Sequence, residues 1–360
     1  MKKIIFRFTV SSLLIFSAGC SSTNFFAVSS SANHSGGIYR IGESGCVQEV
    51  VFPTLNMLLH DPITNRMYGT SNRIPETQDR KGAVSVFEKR NGKWVTIQTV
   101  PVNGKTPCHI AVSPCGTFLY TANYSSGDIS EFKIKDNKLI FPPRLIKHTG
   151  RSILKRQRSP HPHCAVFDPA GKQLFICDLG TDEVVIYNYI PGTGIQLPAA
   201  QKIKLNPGSG PRHLVFDPAG NIFYTANELN SSVSSFVRAP AGSWNVYRSS
   251  STLSGSSSAN NAPGAIKITS DGKYFLVTNR GDNTIAVFSA DRTGGFHLNY
   301  TIRSGGNFPS DLLLFEKQKK AAVCHLKSET LSFFAWDPDS GRLTGKKHII
   351  VPPSFTGLTE

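Results

Sequence analysis

The 360-residue sequence predicts an all-β chain, a seven-bladed β-propeller of four-stranded antiparallel blades whose ring is closed by strands from both termini. Three observations predict it. A strand-turn-strand unit recurs about every fifty residues, apolar residues within the unit alternate in period two, and no helical periodicity is found past residue 20. A sheet unit of that length cannot bury both faces alone and must stack on its neighbours, which is the logic of a propeller blade.

In chain order, residues 1–20, MKKIIFRFTVSSLLIFSAGC, carry a basic start (Lys2, Lys3, Arg7), an apolar run too short and uneven for a permanent span, and small residues before Cys20. They are expected to be an export signal. Ser17-Ala18-Gly19-Cys20 resembles a bacterial lipobox, with Ser17 where a large apolar residue is usual, and Cys20 is the expected lipidation site. Residues 21–35 are polar and expected as a tether, and the propeller is expected over 36–355. Residues 36–52, GGIYRIGESGCVQEVVF, have the form of the outer half of a blade. Six fuller units follow, entered near Met57, His109, His163, His213, Ala265 and Asp311. HIIVP, near the C-terminus, is the candidate to complete the sheet that 36–52 begins, and such a pairing removes the open edges of the ring.

Each unit repeats one local logic. A strand such as HIAVS enters a Ser/Asp-Pro-x-Gly turn, in which Pro sets φ and Gly accepts φ > 0; Gly116, Gly171, Gly220 and Gly272 mark it. A second apolar strand leaves the turn and ends in Asn123, Asp178, Asn227 or Asn279. A third alternates in period two (DISEFKI, EVVIYNY, SVSSFV, TIAVFSA, TLSFFAW), and the variable segment after it supplies a fourth, as in KWVTIQTV.

The formal net charge is +15, and much of the excess lies in RLIKHTGRSILKRQRS, residues 144–159. Such a stretch is either a solvated loop or a basic rim that concentrates anionic substrates or meets an anionic membrane. Nucleic acid is not an expected partner, because the cluster has no interleaved aromatics and the chain shows no helix or zinc reading motif. The seven cysteines include no C-x-x-C and no Cys/His spacing of the zinc type, so no metal is expected, and disulfide pairing is not readable from spacing.

In a propeller the loops before the first and after the second strand of each blade converge at the axis. His109, Asn123, Tyr124, His161, His163, Asp178, Arg212, His213, Asn227, Glu228, Asn279 and Arg280 are therefore expected around one cavity. Two arginines and a glutamate aimed at one channel exceed what structure asks for, since buried charges are costly without partners.

The motifs GPRH…DPAG…NELNSSV, HPHC…DPAGKQLF…DLGTDEV, PCH…SPCG…NYSSG and TSDGKYFLVTNRGDNTIAVF resemble the seven-bladed lactonase family that includes 6-phosphogluconolactonase and the fungal-type carboxymuconate-lactonising enzymes. The likeness spans nearly all of 36–350. It implies a pocket for an anionic lactone, no cofactor, and His163 (or His161), Arg212, Glu228 and Arg280 in the catalytic positions. Those residue types suit the chemistry: Glu228 as base toward water, Arg212 on the oxyanion, Arg280 on a phosphate or carboxylate, His163 as proton shuttle. The other eight are expected to bind substrate or shape its pocket, with His109 and His213 mainly structural and Asn123, Tyr124 and Asp178 shaping the pocket or its turns. Asn72-Arg73, Pro309-Ser310 and VCHLKS depart from the family pattern and predict a ring less charged on one side. The expected function is metal-independent hydrolysis of an anionic sugar lactone. The alternatives are carboxymuconate lactonisation in the same pocket and a non-catalytic propeller binding a partner through its rim. The expected setting is the periplasmic face of a bacterial envelope, as a monomer that meets the membrane only through its lipid anchor.

Overall fold

The computed structural model describes residues 25–42, 44–61, 63–74, 81–255 and 260–360. The expected export signal, Cys20 and the first residues of the expected tether lie outside them. Seven antiparallel sheets form the blades. The first blade comprises Leu55–Asp61, Arg66–Ser71, Ala83–Arg90 and Lys93–Pro101, and the next five open with Pro107–Val112, Pro162–Phe167, Pro211–Phe216, Ala262–Ile268 and Pro309–Phe315. Each of these opening strands packs against its counterparts on either side, and Phe355–Thr359 joins the sixth to the first, so the seven make a closed inner ring. In the second and third blades the outermost strand is split into two short pieces on one partner.

The seventh blade is made from both chain ends, as expected. Phe355–Thr359 is its inner strand and pairs with Phe25–Ser29, followed outward by Gly37–Gly42 and Gly45–Val51. Two expectations are corrected here. Phe25–Ser29, read as tether, is a strand because Phe25, Ala27 and Val28 fill the spaces on both sides of the blade. HIIVP begins in the outermost strand of the sixth blade, Arg342–Ile350, and the closing strand comes after it. The propeller therefore runs from Phe25 to Thr359 rather than over 36–355.

The apolar cores lie between blades. Among the described residues there are seven clusters, each drawn from two adjacent blades. Successive residues of one strand serve different cores: Phe275 and Val277 pack with Tyr224 of the fourth blade, while Leu276 packs with Leu312 and Val323 of the sixth. That is why the second strands are apolar on both faces although their sheets are antiparallel.

The recurrent turn is explained on the same terms. Asp168 Oδ1 accepts from the amides of Lys172 and Gln173 at 2.7 Å, and Asp217 Oδ1 does the same for Asn221 and Ile222. Gly171 and Gly220 sit at φ +66° and +71°. The proline of each turn also reaches the glycine of the next blade's turn: a Cβ on Gly171 would lie 2.7 Å from Pro114, and one on Gly272 3.1 Å from Pro218. Proline and glycine thus recur together because they touch across blades.

Candidate active site

Every inner strand opens with a β-bulge. Pairing to the second strand slips between Leu55 and Met57, Pro107 and His109, Pro162 and Cys164, Pro211 and His213, and Pro309 and Asp311. The closing strand slips likewise past Thr356. A bulged residue leaves the pleat and is re-aimed. Here the skipped residues Asn56, Cys108, His163, Arg212, Ser310 and Thr356 all line one axial cavity of about 240 Å3. In the fifth blade Gly264 holds this place. A Cβ there would stand 2.6 Å from Thr278 Oγ1 and 3.2 Å from Arg280 Cδ, so the missing side chain is what lets Arg280 reach the axis.

The second strands carry Ser71, Asn123, Asp178, Asn227, Asn279 and His325 at or one residue before their ends, all polar and all fully buried. They act as latches. Asn123 Nδ2 donates to Asp128 Oδ1 at 2.7 Å and Ser130 Oγ at 2.8 Å; Asn227 Nδ2 donates to Ser232 and Ser234; Asn279 Nδ2 donates to Thr252 O and Thr284 Oγ1. Asp178 accepts from the amides of His161 and Gly180 and pairs with His148 Nδ1 at 2.7 Å. Asn123 and Asn227 thus spend their side chains on the third strand, Asn279 on the third strand and Thr252, and Asp178 on the turn after it and on His161 and His148. The residue after the latch is the one that faces inward: Asn72, Arg280 and Leu326 line the cavity.

Glu228 holds that same place in the fourth blade and is the centre of the charge arrangement. Its side chain is only 4% exposed, with Oε1 at 2.5 Å from Arg156 Nη1 and Oε2 at 2.6 Å from Arg280 Nη2 and 3.1 Å from Arg212 Nε. The Oε2 contacts lack hydrogen-bond alignment, so charge holds them. Arg280 also donates to Ala262 O and Pro263 O, and Arg212 Nη1 to Gly264 O at 3.1 Å and His213 Nε2 at 2.9 Å. Burial opposes ionisation of Glu228, but Arg280, Arg212 and Arg156 outweigh it and hold the carboxyl well below the usual carboxylate range. Burial and the neighbouring Arg280 push Arg212 down to about 10, still cationic at neutral pH. Burial first, and Arg212 second, push the imidazoles of His163 and His213 well below their ordinary value. Both are neutral at pH 7. The nitrogen of His213 accepts from Arg212, whereas Nδ1 of His163 is buried with no partner.

The family described as "Lactonase, 7-bladed beta-propeller" matches residues 30–356. The chain belongs to that family. Among its curated relatives in this lactonase family, the 6-phosphogluconolactonase of Bacillus subtilis strain 168 is 30% identical over 274 residues, 75% of this chain and 78% of its own. A 6-phosphogluconolactonase of Formosa agariphila is 28% identical over 276 residues, 73% of this chain and 76% of its own. Among solved structures, a Lactobacillus plantarum protein superposes with TM-score 0.86 at 25% identity over 94% of this chain and 99% of its own. The Pseudomonas aeruginosa periplasmic gluconolactonase PpgL superposes with TM-score 0.84 at 24% identity over 93% of this chain and 98% of its own, a likeness of fold.

Of the expected residues, the lactonase fold brings His163, Arg212, Glu228 and Arg280 together, with His213 beside Arg212. His109 packs edge-on against His213 at 5.5 Å and lies behind the cavity wall with Cys164. Tyr124 stacks on His161 at 4.5 Å, and its hydroxyl oxygen accepts from Arg156 Nε at 2.8 Å. Sequence reasoning missed Cys108, because it named the histidine after the bulge instead of the bulged residue, and it left Arg156 among the charges of a basic stretch. The signal for Arg156 was its place six residues before an inner strand. The side expected to be poorer in charge carries Asp311 in the cavity wall, and Lys327 lies 4.4 Å over the ring of Phe308, which also meets Arg280 at 5.2 Å.

Proposed function

We propose that this chain hydrolyses an anionic sugar lactone in the axial cavity, a reading consistent with the names of its 6-phosphogluconolactonase relatives. The observation that carries it is a buried, neutral imidazole with an unpartnered nitrogen at a chamber where two guanidiniums are fixed on one carboxylate. Opening a cyclic ester needs a proton acceptor for water and cationic donors for the oxyanion. His163 takes the proton as the water oxygen attacks the lactone carbonyl. The carbonyl oxygen becomes an alkoxide facing Arg212 and Arg280. Collapse of that intermediate breaks the ring C–O bond, and the imidazolium of His163 returns the proton to the departing ring oxygen.

Glu228 was the base expected from the sequence, yet both of its oxygens are taken up by guanidiniums, whereas Nδ1 of His163 has no partner. Its role is to seat the two inner arginines, and its charge favours the protonated form of His163. Purified mature protein is expected to open glucono-1,5-lactone and its 6-phosphate faster than buffer does, and His163→Gln is expected to lower kcat by about 10²–10⁴-fold. A wild-type rate no greater than buffer, or an unchanged rate in the variant, sinks the proposal. Export and lipidation at Cys20 belong to the same proposal, supported by the composition of residues 1–20. Fatty-acid labelling of cells, absent in Cys20→Ala, tests them.

A further inference from the structure

Three guanidiniums meet Glu228, and they are not equivalent. Arg212 and Arg280 come from the ring of blades, are 13% and 10% exposed, and have further N–H groups committed to backbone carbonyls. Arg156 comes from outside that ring. It sits on a short 3-10 turn, Lys155–Gln157, in the connection between the second and third blades, and its side chain, 47% exposed, meets one oxygen of Glu228 while the other oxygen meets Arg212 and Arg280 of the cavity wall.

The connection that carries it is anchored, not free. Gln157 is fully buried and donates to Leu179 O at 2.8 Å and Asp182 Oδ1 at 2.7 Å, Ser152 Oγ donates to Asp182 Oδ2 at 2.5 Å, and His148 pairs with buried Asp178 at 2.7 Å. Two buried carboxylates thus hold the backbone on either side of Arg156 while its head group stays at the solvent boundary. That head uses Nη1 on Glu228 and Nε on the Tyr124 hydroxyl, and stands 5.7 Å over the Tyr124 ring. Its other N–H groups have no hydrogen-bond partner among the described residues. One carboxylate cannot neutralise three guanidiniums, so the cluster keeps an excess of positive charge on a fork of planar donors.

We propose that Arg156 reads the charge of the substrate: it binds the exocyclic anionic group of the lactone, a phosphate or a carboxylate, and so sets the preference for charged over neutral lactones. This rests on the lactonase reading above. A substrate anion exchanges with solvent on the outer N–H groups of Arg156 while Glu228 and Tyr124 keep the inner edge of the guanidinium in place. The lactone ring is then directed inward toward His163.

The test measures kcat/KM for glucono-1,5-lactone, for its 6-phosphate and for a uronic-acid lactone bearing a free carboxylate, in wild type, Arg156→Ala and Arg156→Lys, with the thermal midpoint of each recorded. Removing Arg156 disturbs Glu228 and lowers the rate on all three, so the readout is the ratio of charged to neutral substrate. That ratio is expected to fall about 10- to 100-fold in Arg156→Ala, mainly through KM, and to recover in part in Arg156→Lys. A fall for the phosphate alone assigns the site to phosphate esters; a fall for both anions assigns it to charge in general. A ratio unchanged in Arg156→Ala, with wild type active on the lactones, overturns the role of Arg156 and leaves the lactonase reading standing. A wild type inert toward all three overturns both.

Discussion

Glu228→Gln removes the charge that two buried arginines share and leaves both inside without a counterion. Breaking a buried pair this way costs about 3–5 kcal/mol, so the variant is expected to melt well below wild type and to lose activity because Arg212 and Arg280 no longer hold their places. Calorimetry of the variant beside Arg156→Ala separates the two contributions: the half-exposed pair of Arg156 is expected to contribute far less to the midpoint. The histidines set the pH response. Burial lowers the folded-state values of His163, His213 and His325, while the unfolded chain takes up those protons near pH 6.5. Protons therefore favour the unfolded state. Stability is complete above about pH 6.5 and declines as pH falls toward the folded values, by up to about 1.4 kcal/mol per pH unit for each histidine. Glu228 adds nothing to that decline above the ordinary carboxylate pKa of about 4.3; below it the unfolded chain takes up the proton that the folded carboxyl refuses, and its contribution is lost in turn. The thermal midpoint should be lower at pH 5.5 than at pH 7.5, and the acid limb of kcat/KM should lie below pH 6.5. Because Arg212 depresses His163, Arg212→Gln should move that limb upward in whatever activity survives.

At the scale of the element, turn, latch and bulge each explain part of what could be read in advance. The turns were legible because their chemistry is local: Asp168 or Asp217, the proline and the φ > 0 glycine stand within a few residues. The bulges were not, since a register slip depends on the partner strand, and its effect is to exchange Cys108 for His109 as the residue that faces the axis. The latches were legible as recurrent polar strand ends, but not which way they point, so Asn123 and Asp178 stood open between the pocket and its turns. Phe25–Ser29 escaped notice because the strand on its inner edge, Phe355–Thr359, lies more than three hundred residues away. The contact between turns gives a prediction of its own. Gly171→Ala places a Cβ in a left-handed conformation and 2.7 Å from Pro114, so it should cost more than the roughly 1–2 kcal/mol of the backbone strain alone. Relieving the clash with Pro114→Ala should recover only the steric part. Equal destabilisation of Gly171→Ala in both backgrounds, by chemical denaturation, would show that the cross-blade contact is worth nothing.

For the whole molecule the seven cores are links of one closed chain of interfaces. In an open stack of repeats, losing the terminal unit removes one interface and leaves the rest nearly intact. A ring differs. Phe355 and Leu358 pack into the core shared with the sixth blade, and the strands they hold in place, through Val28 and Ile38, pack into the core shared with the first. Removing residues 355–360 therefore weakens two interfaces, takes Thr356 from the chamber wall, and bares the inner edge of Phe25–Ser29 for pairing with other chains. The truncated protein is expected to self-associate and to lose lactone binding, although every residue of the charge cluster is retained. Phe355→Ala is the milder probe. Its ring is fully buried, 5.3 Å from Tyr39, and its loss should cost about 3–5 kcal/mol while leaving the strand paired. Tryptophan fluorescence gives the decisive comparison, because Trp94 lies in a core adjoining the seventh blade and Trp244 in one across the ring. If closure makes the ring cooperative, Phe355→Ala lowers one shared transition; two separate transitions would mean that the blades on the far side stand without the closing strand.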